Sequence, residues 1–148
     1  MSSGPGLVIA PLEAAVVTFL KGTAAVADLV PGPHGPQIYT NPRQDAVPPY
    51  LEVAGGSEAR HAVSVARSYG REARLLVRGT SAYRGTVELV GLMSAVVTAL
   101  EDEVLTLPPW ANVMPIEFVD SPEPPLDAVL VNGVEMRQRV VVFRVRAR

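Results

Sequence analysis

The residue types that most often carry chemistry are few and scattered in this chain. It has two histidines, His34 and His61, and no cysteine. Neither histidine has a second histidine or an aspartate at metal-ligand spacing, whereas a zinc site or a two-histidine iron site needs more donors. We interpret His34 as a loop residue and His61 as a surface residue at the start of a strand. The pattern predicts no metal site, no cofactor and no catalytic residue.

The motifs of nucleophilic and nucleotide-dependent enzymes are also absent from the sequence. There is no G-x-S-x-G elbow, no P-loop and no G-x-G-x-x-G after a strand. Prolines interrupt Gly4-Pro5-Gly6 and Gly32-Pro33-His34-Gly35-Pro36, so these glycines do not aim consecutive backbone N–H groups at a phosphate. The chain is therefore predicted not to be an enzyme.

Charge is distributed unevenly along the chain. The net charge of −2 gives no global basic field that would indicate nucleic-acid binding. Residues 101–135 hold eight acidic residues and no lysine or arginine. Twelve of the 13 basic residues are arginine. Either GC-rich coding or a need for bidentate hydrogen-bond donors at interfaces explains this preference. Five of these arginines close the chain: Arg137, Arg139, Arg144, Arg146 and Arg148.

The acidic segment begins with Glu101, Asp102 and Glu103 at the end of a predicted helix. Adjacent helical positions point in different directions, so these three carboxylates do not form a two-carboxylate catalytic site. Negative charge at a helix C-terminus is also unfavourable with the helix dipole. The triplet is either a solvated surface or a docking patch for arginines of a neighbouring subunit.

The C-terminal arginines fall on both faces of a predicted strand. Arg137 and Arg139 share one face with alternate apolar residues, and Arg144 and Arg146 share the other. They are either the solvated ends of a strand or contacts to a partner, nucleic acid included. The few aromatic residues are not interleaved with arginine, so specific nucleic-acid recognition is not expected.

Trp110 is the last candidate contact residue. It follows Leu107-Pro108-Pro109 and either closes the loop after the second long helix or forms a hot spot for a partner. The candidate subunit or partner interface therefore comprises eight residues. They are Trp110, Arg137, Arg139, Arg144, Arg146, Glu101, Asp102 and Glu103.

Hydrophobic periodicity predicts two amphipathic helices. Apolar residues at 12, 16, 19 and 20 indicate a helix that Gly22 ends, followed by a short helical piece over Thr23–Val30. A second long helix spans Thr86–Val104, with Val104 on its apolar stripe and Gly91 in its middle.

The remaining periodic segments predict strands. One strand begins with Tyr50–Val53 and is predicted to end at Gly55-Gly56. Alternation over residues 62–67 and 72–78 indicates either a hairpin or one long kinked strand, with a turn or bulge at Gly70. Val113–Val119, interrupted by Pro115, predicts an edge or bulged strand. An Asn132-Gly133 turn is predicted between Val129–Val131 and the last strand. That last strand is apolar on both faces in its first part, which indicates a central strand or one covered by a second subunit.

This order of elements predicts an α+β domain. We expect a mostly antiparallel sheet with the two main amphipathic helices packed on one face. Residues 1–148 form a single domain, with 1–10 as a lead-in and 120–135 as an acidic, proline-rich loop insertion. No apolar run reaches the roughly 18 residues of a membrane span, so no membrane contact is expected.

The same order resembles that of the tail-terminator, or tail-completion, proteins of long-tailed bacteriophages. In that family an amphipathic helix, a small-residue helical segment and an extended I-Y pair precede a P-Y-hydrophobic strand. A polar-alternating strand, a second amphipathic helix and terminal strands follow. The corresponding segments here are Leu12–Leu20, Thr23–Val30, Ile38-Tyr39, Pro49-Tyr50-Leu51-Glu52-Val53, Arg71–Arg78, Thr86–Val104 and Val113–Val145.

The resemblance implies a structural virion protein. Such a protein forms a hexameric ring that caps the tail tube, ends tube polymerisation and joins the tail to head-completion proteins. DNA passes through its lumen without sequence recognition. The expected location is the tail–neck region of a virion assembled in the host cytoplasm. Alternatives are another head–tail connector, the cap of a contractile injection tail, or a small α+β enzyme or ligand-binding domain.

Overall fold

The described residues form three helices and six strands. The computed structural model describes residues 9–40, 47–62, 69–82, 87–107, 113–121, 126–131 and 134–147. The helices are α1 (Ile9–Lys21), α2 (Ala24–Ala27) and α3 (Val87–Leu100). The strands are β1 (Ile38–Tyr39), β2 (Tyr50–Ala62), β3 (Tyr69–Ser81), β4 (Glu117–Asp120), β5 (Leu126–Val131) and β6 (Val134–Ala147).

The six strands form one sheet in the order β1-β2-β3-β6-β4, and β5 pairs with the first part of β6. Every pairing of these strands is antiparallel except that between β1 and β2. β6 lies between β3 and β4, which confirms its prediction as a central strand. The α+β class with a mostly antiparallel sheet is also confirmed.

One face of the sheet is covered by α1 and α3. On α1, Leu12, Val16 and Leu20 recur every four residues and are fully buried. They meet alternate residues of the strands, such as Leu75 and Phe143, in a single hydrophobic core. Burying a side chain of this size contributes about 1.5–3 kcal/mol, so the helix–sheet layer dominates the stability of the domain. None of the helices in the described ranges is long and apolar enough to cross a membrane.

Two expectations about the strands are corrected. Gly55-Gly56 do not close β2, which continues to Ala62 with a register shift between Gly55 and Glu58. The carboxylate of Glu13 on α1 accepts a hydrogen bond from the Gly55 N–H at 2.7 Å and so holds this bulge. The turn or bulge predicted at Gly70 is also wrong: β2 and β3 do pair antiparallel, as in a hairpin, but Gly70 lies opposite His61 inside the ladder. Residues 63–67 of the first predicted run lie outside the described residues.

The second long helix is shorter than predicted. α3 ends at Leu100, and Val104 is 58% exposed instead of lying on the buried stripe. Asp102 adopts a left-handed backbone with φ of 66°. Its N–H donates to the Ile116 carbonyl at 2.8 Å, outside the helical pattern. The chain therefore turns away before another helical turn forms.

The strand predicted over Val129–Val131 is present, but it starts earlier than predicted, inside the expected 120–135 loop. β5 occupies residues 126–131 and pairs with β6 in the register Val131↔Val134. The Asn132-Gly133 turn predicted between them lies outside the described residues. Whether the segment is an insertion relative to other proteins stays a prediction.

Candidate functional site

The face of the sheet opposite the helices is partly exposed, and we call its central residues the open face. At its centre Leu76 of β3 lies opposite Val142 of β6, and both side chains are half-buried. Arg74 and Arg78 flank Leu76 on the same strand and are exposed. Arg78 pairs across the ladder with the half-buried Val140. The open face is therefore a short apolar row flanked by Arg74 and Arg78, with the half-buried Glu52 of β2 directly opposite Arg78 in the ladder.

The end of the open face carries a four-residue ion-pair cluster. Arg144 donates from Nε to Glu117 Oε2 at 3.1 Å and also contacts that oxygen through a second guanidinium nitrogen. Arg146 donates from Nε to Glu72 Oε1 at 2.9 Å. Longer contacts of 3.8 and 3.9 Å join Arg144 to Glu72 and Arg146 to Glu117. The cluster connects β3, β6 and the edge strand β4, so it fixes their register on this face.

The cluster changes the protonation behaviour of its members. The hydrogen bond from Arg144, reinforced by the charges of Arg144 and Arg146, holds the pKa of Glu117 below its usual value. The same hydrogen bond raises the pKa of Arg144. Both groups therefore stay charged at neutral pH, and the positive charge of Arg144 and Arg146 is balanced within the domain.

Arg74 and Arg78 differ from these two arginines. Neither makes an ion pair or a side-chain hydrogen bond with another residue that the structure describes. Arg74 lies directly opposite Arg144 across the β3–β6 ladder, a like-charge pair that is unfavourable unless one member turns away. Because Arg144 pairs with carboxylates, Arg74 is left as the exposed cation.

Arg137 and Arg139 lie on the helix side of β6, as their alternation predicts. Arg139 donates from Nε to Ser121 Oγ at 3.0 Å, and Ser121 Oγ donates to the Val140 carbonyl at 3.1 Å. Arg139 also forms part of the wall of a groove of about 360 Å³. Arg137 is half-buried.

The groove runs between α3 and the edge strand β4. Phe118 of β4 packs edge-on against Phe143, with ring centroids 6.0 Å apart, and forms one wall. The other wall is the outer side of α3. The residues that line the groove are Val90, Met93, Ser94, Val97, Thr98, Phe118, Ser121, Arg139 and Val141.

The acidic triplet lies at the end of this groove wall. Glu101 follows Val97 by four residues, so the two side chains leave α3 in nearly the same direction. Glu101 and Asp102 are exposed, and Glu103 is half-buried. In the part of the chain that the structure describes, none of the three forms an ion pair. The outer surface of α3 thus exposes Val90 beside the polar Ser94 and Thr98, and it is acidic at its C-terminal end.

The structure brings the eight candidate interface residues together only in part. The four described arginines divide between the two faces of β6, and the acidic triplet lies beside the groove. Trp110 lies outside the described residues. No group of three metal-ligating side chains occurs among the described ranges.

Sequence reasoning missed Glu72, Glu117 and Gln37. The two glutamates are separated by 74 and 27 residues from the arginines that they bind, so spacing gave no sign of the pairs. The alternation of Glu72 with the apolar Ala73 predicts that Glu72 lies on the open face. The sequence gives no other indication of the ion pair. Gln37 sits in a loop-like segment with no periodicity at all.

The comparisons with known proteins decide the family. The family described as "Tail completion protein gp17" matches residues 14–147. The chain belongs to this family. A chain from the "Virion of native gene transfer agent (GTA) particle" has the same fold, with a TM-score of 0.69 and 24% sequence identity. The match covers 92% of this chain and 93% of that chain. No match was found among curated proteins.

Proposed function

We propose that this tail completion protein forms a homohexameric ring that caps the tail tube, ends tube polymerisation and joins the tail to the neck. The observation that carries this proposal is the family match over residues 14–147, which spans α1 from residue 14 onward, all of α3 and every described strand. A role in a phage tail follows from the family. The ring, its position and its partners are the proposal.

The geometry of the domain supports an assembly role. Two different surfaces, the open face and the outer side of α3, expose apolar groups. Both also carry charged groups that form no ion pair with a described residue. Surfaces of that composition are typical of protein contacts. In addition, the described residues hold no metal-ligand cluster, and the one strong ion-pair cluster joins strands instead of lining a cavity. We therefore propose a structural role without catalysis.

The proposed partners follow from the same role. Copies of the chain contact one another around the ring, tail-tube subunits contact one end, and head-completion proteins contact the other. DNA passes through the lumen with no sequence recognition, and the ring lies in the tail–neck region of the virion.

Negative-stain microscopy of the purified protein mixed with tail tubes tests the proposal. We expect rings seated at one end of the tubes, and tubes that no longer elongate when tube subunits are added. Native mass spectrometry of the protein alone gives the number of copies per ring. A protein that stays monomeric and leaves tube elongation unchanged contradicts the proposal. Rings that bind only to heads indicate a connector instead.

A further inference from the structure

The composition of the open face suits contact with a protein better than exposure to water or binding of a polyanion. Leu76, Val140 and Val142 form its apolar centre and are only half-buried. Covering them removes apolar surface from water, at about 25 cal/mol for each Å². The exposed cations Arg74 and Arg78 border this centre. A partner that fits has an apolar strip with negative charge beside it.

The outer surface of α3 has that composition. Val90, Ser94, Val97 and Glu101 follow each other at helical spacing, so they lie along one side of the helix. Val90 is 44% exposed, and Phe118 of the adjacent edge strand is 37% exposed. The groove between them has apolar groups from Val90, Val97 and Phe118, and it is also lined by Ser94, Thr98 and Arg139. The carboxylates of Glu101 and Asp102 lie beyond its end and form no ion pair with a described residue. The apolar groups of the groove and the carboxylates beside it therefore correspond to the apolar row and the exposed cations of the open face.

The two surfaces lie on opposite sides of the molecule. Even-numbered residues of β6 point to the open face, whereas Val141 and Phe143 point to the helices. The helix layer and the sheet therefore lie between the outer surface of α3 and the open face. Neither surface can satisfy the other within one copy. Two different surfaces that match each other produce a head-to-tail contact, which closes into a ring when the rotation per copy allows it.

We propose that the open face of one copy packs against the outer surface of α3 of the next copy, with Arg74 and Arg78 opposite Glu101 and Asp102. This inference rests on the proposed ring and names its subunit contact. Arg144 and Arg146 border the contact but keep their own carboxylate partners. Guanidinium–carboxylate pairs across the contact set the register and orientation of neighbouring copies.

A charge swap in the full-length protein tests the contact. We expect Arg74→Glu with Arg78→Glu to weaken ring association by about a hundredfold, because like charges then face each other. Glu101→Arg with Asp102→Arg has the same expected effect. The protein that carries all four changes regains rings, because the charges are again opposite. Sedimentation velocity and native mass spectrometry measure the ring fraction, and circular dichroism melting confirms that each variant is folded.

A control variant tests whether charge reversal at other exposed positions disturbs association without a change of net charge. Lys21→Glu combined with Asp28→Arg reverses exposed charges away from both surfaces and is expected to leave association unchanged. If a reversal variant fails to fold, the neutral change of Arg74 and Arg78 to glutamine replaces it. That variant is expected to weaken association by about tenfold.

The other outcomes overturn the inference in distinguishable ways. Wild-type rings that tolerate both reversals show that the copies meet through other surfaces, and the proposed function stands. Failure of the four-residue variant to regain rings, when both reversals disrupt them, shows that the two surfaces do not meet each other. Rings that keep their stability but lose salt-dependent DNA binding assign the open face to the DNA. A wild-type protein that never forms rings overturns the proposed function as well.

Discussion

A single buried amide holds two proline-rich segments of the chain together. The two N–H groups of Gln37 Nε2 are shared among the carbonyls of Pro31, Val47 and Pro49, which lie 3.0, 2.7 and 3.2 Å from the nitrogen. Its Oε1 accepts from the Val47 N–H at 3.3 Å. Proline has no backbone N–H, so segments rich in proline contain more carbonyl acceptors than donors. Gln37 supplies the missing donors from a side chain that is only 5% exposed.

We expect Gln37→Leu to lower the free energy of unfolding by about 2–3 kcal/mol, because it leaves several carbonyls without a donor in a nearly buried site. Urea denaturation followed by circular dichroism measures the change. Thr106→Val, a polar-to-apolar change at an exposed loop position, is the control and is expected to shift stability by less than about 0.5 kcal/mol. A Gln37→Leu protein as stable as the control contradicts this account.

The sequence predicts the faces of residues better than it predicts their partners. Alternation along β6 correctly separates Arg137 and Arg139 from Arg144 and Arg146. It does not identify Glu117 as the partner of Arg144, because that pair forms only when the edge strand docks. Gln37 was missed for the same reason, since its three acceptor carbonyls are 6, 10 and 12 residues away along the chain.

Among the elements, the edge strand β4 depends most on a few side chains. It has four residues and pairs with β6 on one side, with a register shift between Phe118 and Asp120. Phe118 anchors it to Phe143 on the helix side, and Glu117 anchors it to Arg144 on the open face. A strand with so short a ladder needs both contacts to stay in register.

We expect the contribution of Glu117 to depend on pH. Its pKa in the folded protein is lower than the 4.5 of an unperturbed glutamate. The pair therefore stabilises the fold fully above about pH 4.5, and this contribution is lost as pH falls through the folded pKa. Glu117→Gln is expected to be less stable than wild type at pH 7, by a small amount because the pair is exposed.

Urea denaturation of both proteins from pH 7 to pH 3 measures this difference. The gap in unfolding free energy is expected to narrow below pH 4.5 and to close below the folded pKa. Hydrogen exchange in residues 117–120 locates the effect in β4. A gap that stays constant over the whole range would mean that the carboxylate charge does not anchor the strand. Glu103→Gln is a suitable control because Glu103 makes no ion pair with a described residue.

The elements themselves follow from local pattern, whereas their ends depend on tertiary contacts. The i, i+4 and i+8 spacing of Leu12, Val16 and Leu20 was enough to predict α1. The end of β2 was misplaced at Gly55-Gly56, because pairing with β3 and the Glu13 hydrogen bond offset the low strand propensity of glycine. The end of α3 was misplaced because the backbone bonds from Asp102 and Ile116 divert the chain there.

At the scale of the whole molecule, the sheet divides the surface into two sides with complementary composition. The order of elements was enough to predict the family, because a fold depends on periodicity and connection. The proposed contact surfaces could not be predicted in that way. They combine residues of β3 and β6 on one side and of α3 and β4 on the other, and only the folded chain shows which charges keep no partner. If these two sides meet head to tail, the ring is built by repeating one contact between neighbouring copies.

Mixing two defective variants tests that property. Arg74→Glu with Arg78→Glu leaves the α3 surface intact, and Glu101→Arg with Asp102→Arg leaves the open face intact. In an equimolar mixture, native contacts alternate with contacts between the two reversed surfaces, which are again opposite in charge. We therefore expect rings from the mixture although neither variant forms them alone.

Those mixed rings must contain equal numbers of the two variants, because only alternation avoids like charges at every contact. The variants differ in mass, so native mass spectrometry reads the composition of each ring directly. A hexamer with three copies of each is the expected species. Rings with random composition would refute the head-to-tail arrangement even if the charge swap within one chain restores assembly.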